Sequence, residues 1–180
     1  MNPKNNTPIQ FNFYPKEVTL LLGVGRENIS SEAKKMEAEK LWLLRKNEFH
    51  FTIIGRQTWE EILEKIQKWD EKQTQKILQK IKKLGENIEW KVELKNEYYY
   101  VKKDYKNLET PDIRESIIQI AEIKWIEAFY KQLNILLDTQ FEIPLPHVTL
   151  YTNSIRKEKE RYGIGIYSLK QFEKLSPKKI

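Results

Sequence analysis

The sequence predicts an α+β domain, and three observations carry that reading. Segments of period-two alternation interleave with segments of helical spacing, one stretch reads as an antiparallel hairpin, and the last connection between strands is short. A doubly wound parallel sheet would need a crossover helix at each of those connections. At 180 residues, 39% hydrophobic and 12% aromatic, the chain has the length of one domain and the material for a real core.

Residues 1–10, rich in Asn and Pro, read as a flexible arm, and 11–180 as a single domain. The apolar run Glu17 to Gly23 (EVTLLLG) is a buried strand that turns at Gly23-Val24-Gly25. A phosphate loop would need a third glycine and a Lys-Ser/Thr ending, which this stretch lacks. Residues 31–45, SEAKKMEAEKLWLLR, favour helix by propensity, with Ser30 or Ser31 as the N-cap. In EFHFTIIG, Phe49, Phe51 and Ile53 alternate with His50, Thr52 and Ile54, the pattern of a strand with one apolar face. Residues 59–84 place Trp59, Ile62, Ile66, Ile77 and Ile81 near helical spacing, with an irregularity around Asp70 to Thr74 and a stop at Gly85.

From Ile88 to Tyr105 the alternation on either side of Lys95-Asn96-Glu97 predicts a hairpin. Thr110-Pro111-Asp112 has the chemistry of a helix start: a capping hydroxyl, proline at the first position and an acid in the first turn. That helix is expected to run to about Leu137 on a broad apolar face. FEIPLPHVTLYT then enters a strand through two prolines, with His147, Thr149 and Tyr151 on one face and Val148 and Leu150 on the other. The charged connector SIRKEKER leads to YGIGIYSLKQF, which alternates as a final strand before a basic tail.

Thirty-two Lys and Arg against 26 Asp and Glu give a net charge of +6, which suits a phosphate-bearing partner and is equally an ordinary solubility charge. The chain has no cysteine, which excludes disulfides, thiol catalysis and thiolate zinc sites. Its start lacks a basic region followed by an apolar stretch, and no later window is apolar enough to span a membrane. A cytoplasmic protein is expected, acting as a monomer without membrane or protein partner.

There are two histidines, so imidazole chemistry must use His50, His147 or both. Each is followed two positions later by threonine: His50-Phe51-Thr52 and His147-Val148-Thr149. With nine threonines in the chain, chance would place one after both histidines in about one case in 400. On a strand, positions i and i+2 share a face about 7 Å apart, so each motif presents an imidazole and a hydroxyl to one ligand. Phosphodiester cleavage needs a base for the attacking oxygen and an acid for the leaving oxygen, and imidazole serves as either near neutral pH. The threonine hydroxyls are suited to the non-bridging oxygens, where charge gathers in the transition state. Two imidazoles without cysteine or a nearby carboxylate motif make a poor metal-ligand set, so neither a metal nor another cofactor is expected.

With these motifs, and with Pro146-His147-Val148-Thr149-Leu150 above all, the sequence resembles the 2H phosphoesterase superfamily, which includes LigT-like 2',3'-cyclic phosphodiesterases and 2'-5' RNA ligases. The likeness extends over the order of elements from about Val18 to Phe172 and departs from the family in the long helix expected at 31–45. It implies a bilobal fold of two antiparallel sheets related by a pseudo-two-fold axis, with a central cleft and helices outside. It also implies a metal-independent phosphodiesterase with His50 and His147 as acid and base, in an order the sequence leaves open, and Thr52 and Thr149 as phosphate binders. The substrates implied are RNA with a 2',3'-cyclic end, 2'-5' or 3'-5' oligonucleotides, and cyclic nucleotide messengers. Some viral members of the superfamily destroy such messengers to blunt host immunity, and for one of those the location would be the host cytoplasm. An RNA-end binding module, or a ligase-like protein with little hydrolytic turnover, is the alternative.

Four further residues are candidates for binding substrate. Tyr151 should share the face of His147 and Thr149, while Tyr14 and Arg56 lie near the first strand and just after the first motif. Trp90 belongs to an aromatic group with Tyr98, Tyr99 and Tyr100 beside Lys102, Lys103 and Lys106, suited to stacking a base and attracting phosphate. Cross-strand aromatic contacts with solvated lysines are the other reading of that group.

Overall fold

The computed structural model describes residues 10–14, 19–29, 33–106, 110–157 and 162–180, with the backbone alone for 10–14 and 19. Its strands are β1 (Gln10–Tyr14), β2 (Thr19–Val24), β3 (Leu44–Arg45), β4 (Phe49–Ile54), β5 (Val92–Tyr105), β6 (Asp112–Ile123), β7 (His147–Ser154) and β8 (Lys178–Lys179). The α-helices are α1 (Lys35–Lys40), α2 (Arg56–Ile66), α3 (Glu71–Glu86), α4 (Ile126–Leu137) and α5 (Leu169–Lys174). The class is α+β with an antiparallel sheet, as the sequence predicts.

The strands do not divide into two sheets. They form one sheet of eight, in the order β1-β2-β4-β7-β6-β5-β8, with β3 also paired to β7. The junction between its halves is a single antiparallel pair, Phe51 opposite Val148. Equating β1 with β5, β2 with β6 and β4 with β7 makes the strand order read the same outward from that pair. The relation extends to irregularities. One extra residue, Ile53, follows Thr52 in β4 opposite β2, and one extra residue, Leu150, follows Thr149 in β7 opposite β6.

One face of the sheet carries the main core. Phe49, Phe51 and Ile53 of β4 and Val148, Leu150 and Tyr151 of β7 bury there against α2, α3 and α4. Alternation supplies this face from the strands, and helical spacing supplies its cover. Trp59, Ile62 and Ile66 recur along α2, Ile77 and Ile81 along α3, and Ile126, Phe129, Tyr130, Leu133 and Leu137 along α4. Phe51 and Val148 are fully buried, each contributing roughly 2 kcal/mol of transfer free energy. The Tyr130 hydroxyl donates to the Ile53 carbonyl at 2.7 Å and ties α4 to the strand behind Thr52. Helices α1 to α4 therefore lie against this one face of a single sheet, rather than outside two lobes. The opposite face has a second, smaller cluster over β5 and β6, formed by Val101, Ile118, Ile164, Ile166 and Phe172.

Several expected elements take other forms. The helix expected over 31–45 shrinks to α1, because Lys34 and Trp42 adopt left-handed conformations (φ 60° and 56°) on either side of it. Leu44 and Arg45 then pair with β7. Ser30 and Ser31 lie outside the described residues, as do 1–9 of the expected arm, and Gln10 already belongs to β1. The helix expected over 59–84 is two helices, because Asp70 and Gln73 close a reciprocal capping box that starts α3 anew.

The hairpin expected around Lys95-Asn96-Glu97 is one long strand. Those residues make an irregularity between Leu94 and Tyr98, where the Gln119 side-chain amide donates to the Lys95 carbonyl at 2.9 Å. The helix expected from Thr110 is strand β6 as far as Ile123, and only α4 remains of it. Lastly, the final strand expected over YGIGIYSLKQF does not form: 162–167 has no regular structure and stays out of the sheet, and Ser168 caps α5 by accepting from the Gln171 N–H at 3.2 Å. Among the described residues no helix is long and apolar enough to cross a membrane.

Candidate functional site

Because Phe51 and Val148 turn into the core together, their neighbours turn to the opposite face together. Counting out from that antiparallel pair, His50 stands across from Thr149 and Thr52 across from His147. The four motif residues thus form one patch on the face that α2 to α4 leave uncovered. Each is half-buried. The flanking strands hold the register: Gly23 and Leu21 of β2 pair with His50 and Thr52, while Ile120 and Ile118 of β6 pair with His147 and Thr149.

His147 is oriented by its approach to the strand. Pro144 and Pro146 favour extended backbone, and the Leu145 carbonyl lies 2.8 Å from Nδ1 of His147. A carbonyl can only accept, so Nδ1 carries the hydrogen and Nε2 of the neutral ring is a bare lone pair. Burial lowers the proton affinity of His147, and the Leu145 contact opposes that shift in part. Burial lowers that of His50 as well, with further lowering from the Lys46 ammonium and from His147, while Glu48 works the other way. Both rings are therefore held below their ordinary value of 6.5.

The segment 162–168 forms one wall of the patch, and its glycines permit the approach. A methyl group on Gly163 would stand 3.2 Å from Oγ1 of Thr149. The ring of Tyr167 lies against Gly55 and Gly165, where added methyl groups would stand 2.8 Å from Cε1 and 2.5 Å from Oη. The Gly55 position is also 3.5 Å from Cγ2 of Thr52, so Tyr167 borders the first motif as Gly163 borders the second.

Beyond that wall lies a charged cluster on the same face. Lys103 of β5 and Arg114 of β6 are direct partners, four residues along from the pair of Tyr99 and Ile118. The Arg114 guanidinium donates to buried Asp112 at 2.6 Å and to the Gly163 carbonyl at 3.4 Å, and stacks over Tyr105 and Tyr162. Burial pushes the Asp112 carboxyl up, but bonds from the Ser154 hydroxyl (2.5 Å) and Arg114 outweigh it and leave the carboxyl below its ordinary range.

Other sequence candidates go elsewhere. Tyr151 does not join the patch: the extra residue Leu150 shifts the alternation, and Tyr151 turns into the main core, 5% exposed. Trp90 is also a core residue, 8% exposed, with Nε1 donating to the Gly85 carbonyl at 2.9 Å and its ring 5.7 Å from that of Phe129. Tyr14 ends β1, and its side chain lies outside the described residues. Arg56 opens α2 on the exposed rim, bonded to Glu60 at 2.8 Å and near enough to Tyr167 to influence its ionisation. The tyrosines and lysines grouped with Trp90 separate by strand face. Tyr100 and Lys102 meet Glu115 at 2.5 and 3.3 Å, Lys106 meets Asp104 at 3.6 Å, and Lys103 turns to the motif face.

Tyr167, Gly163 and Arg114 are the neighbours that sequence reasoning missed. For Tyr167 and Gly163 the run YGIGIY carried the signal, since alternate glycines leave room for a strand face to approach a backbone, whereas nothing around Arg114 marked it. A groove of about 430 Å³ adjoins Tyr167 on the side of α2 and α5, and neither histidine lines it. Among the described residues no three His, Cys, Asp or Glu side chains gather where they would hold a metal ion. The chain matches no protein-family model, no curated protein and no solved structure.

Proposed function

We propose that this chain is a metal-independent phosphodiesterase of the 2H phosphoesterase type, acting on a 2',3'-cyclic phosphate or an oligonucleotide or cyclic-nucleotide linkage. The observation that carries the proposal is the Phe51–Val148 pair. It sets two His-x-Thr units head to tail on one face, each imidazole across from the other unit's hydroxyl. A phosphate seated over that pair would meet an imidazole on two opposite sides, as in-line displacement at phosphorus requires.

In the reaction, one neutral imidazole removes a proton from water or from an adjacent 2'-hydroxyl as that oxygen bonds to phosphorus. The other, protonated, donates to the leaving oxygen as its P–O bond breaks. Each turnover moves one proton onto the first ring and one off the second, and exchange with solvent restores both. The Thr52 and Thr149 hydroxyls donate to the non-bridging oxygens, where negative charge grows. The bare Nε2 of His147 suits the base, with His50 then the acid for the same direction of reaction.

The test is product analysis in excess EDTA. Wild type, His50→Ala and His147→Ala are compared on RNA with a 2',3'-cyclic end, 2'-5' oligoadenylate, and cyclic di- and trinucleotides. Cleavage of at least one substrate by wild type is expected, with either substitution lowering turnover by about 10² to 10⁴. Full activity in either variant would overturn the two-histidine mechanism, and binding without cleavage would make the chain an RNA-end binder.

A further inference from the structure

The motif face carries a second cationic feature that neither histidine uses. Lys103 is half-buried, and its ammonium lies 5.0 Å from the ring centre of Tyr105 and 5.9 Å from that of Tyr167. No described carboxylate pairs with it. Burial disfavours its charge and the Arg114 guanidinium beside it does so further, so its proton affinity is lowered. The one buried acid close by, Asp112, is already engaged by Arg114 and Ser154. Local charge is therefore unbalanced toward positive, and the lysine's placement opposes folding rather than helping it. The aromatic faces return part of that cost. An anion arriving from solvent would supply the rest.

Position narrows the anion. Tyr167 borders both Lys103 and Gly55 beside Thr52, while Gly163 borders both Thr149 and Arg114. The cation thus lies on the same face as the threonines that would hold the scissile phosphate, with one aromatic ring and one glycine between them. A ligand continuing from that phosphate along the sheet face would bring its next phosphate to Lys103, with Tyr105 and Tyr167 offering faces for a base or sugar.

We propose that Lys103 binds a second phosphate of the substrate, so that the protein selects nucleotides carrying two or more phosphates over one carrying the scissile phosphate alone. This rests on the phosphodiesterase reading of the histidine pair. It narrows the substrate class to dinucleotides and longer or cyclic oligonucleotides.

Two ligands separate the alternatives: adenosine 2',3'-cyclic phosphate, and the dinucleotide ApA bearing the same cyclic end. For wild type, Lys103→Ala and Lys103→Arg, kcat/KM is measured in EDTA and the dissociation constant by calorimetry. Wild type is expected to prefer the dinucleotide, Lys103→Ala to reduce that preference about tenfold, and Lys103→Arg to retain most of it. An equal preference in wild type and Lys103→Ala would overturn the second-phosphate site while leaving the histidine mechanism standing. Lys103-dependent binding of the dinucleotide without cleavage of either ligand would keep the site and defeat the phosphodiesterase reading. Failure to bind either ligand would overturn the site.

Discussion

After burial and the Lys46 ammonium, the next force holding down the proton affinity of His50 is the imidazole of His147. Both rings are neutral in the free protein at pH 7, whereas the reaction needs one of them protonated. The kcat/KM profile is therefore expected to be bell-shaped with its maximum below pH 6.5, falling on the alkaline side as the acid loses its proton. The monoanionic phosphodiester, once bound, favours imidazolium, so kcat should peak at higher pH than kcat/KM. A kcat/KM that stays level to pH 8 would contradict this pairing.

The same shifts act on stability. Below pH 6.5 the unfolded chain binds protons at both histidines that the folded protein resists, so folding weakens as the pH drops through that value toward the lowered folded values. Thermal midpoints of wild type and the double variant His50→Gln, His147→Gln should diverge below pH 6.5, wild type losing more.

Thr52→Val and Thr149→Val remove a hydroxyl and keep the β-branched shape that suits a strand. Each is expected to lower kcat about tenfold to hundredfold with little change in unfolding. Unchanged turnover in both would remove the threonines from the transition state.

Gly163→Ala places a methyl group 3.2 Å from Oγ1 of Thr149, tighter than ordinary contact. The wall or the threonine must yield by a few tenths of an ångström. Turnover should fall about tenfold while stability changes by no more than about 1 kcal/mol. Urea unfolding alongside kinetics separates the two effects.

Asp112→Ala strips the buried partner from Arg114 and from the Ser154 hydroxyl. An orphaned, mostly buried guanidinium costs about 3 kcal/mol or more. Urea denaturation is expected to show that loss, with Asp112→Ala, Arg114→Met recovering part of it. An additive double variant would mean that the pair does not interact.

How much of this was legible in the sequence depends on whether a strand has one dry face or two. Strand β4 alternates cleanly because Phe51 and Ile53 meet helices while His50 and Thr52 do not, and period two shows through. Strand β6 is covered on both faces, Ile117 by the main core and Ile118 by the smaller one, so its apolar residues run together and pass for a helix. Thr110-Pro111-Asp112 reinforced that misreading with cap chemistry, whereas Asp112 serves Arg114 and Ser154. The four motif residues were legible from spacing alone. Tyr151 was not, because a bulge is one added residue with no composition of its own. Tyr167 stayed hidden because its proximity to Thr52 arises from a fold-back of more than a hundred residues.

The short strand β8 gives the sheet its far border. Lys178 and Lys179 pair with Tyr100 and Tyr99, and the Ile180 N–H donates to the Tyr98 carbonyl at 3.0 Å. Without these three residues, the outward-facing amides and carbonyls of Tyr98 and Tyr100 would be open to any passing chain, the arrangement from which intermolecular sheets grow. Two lysines on the outermost strand make a poor template in their place. Cover for that edge thus rests on a two-residue strand at the far end of the sheet from β4.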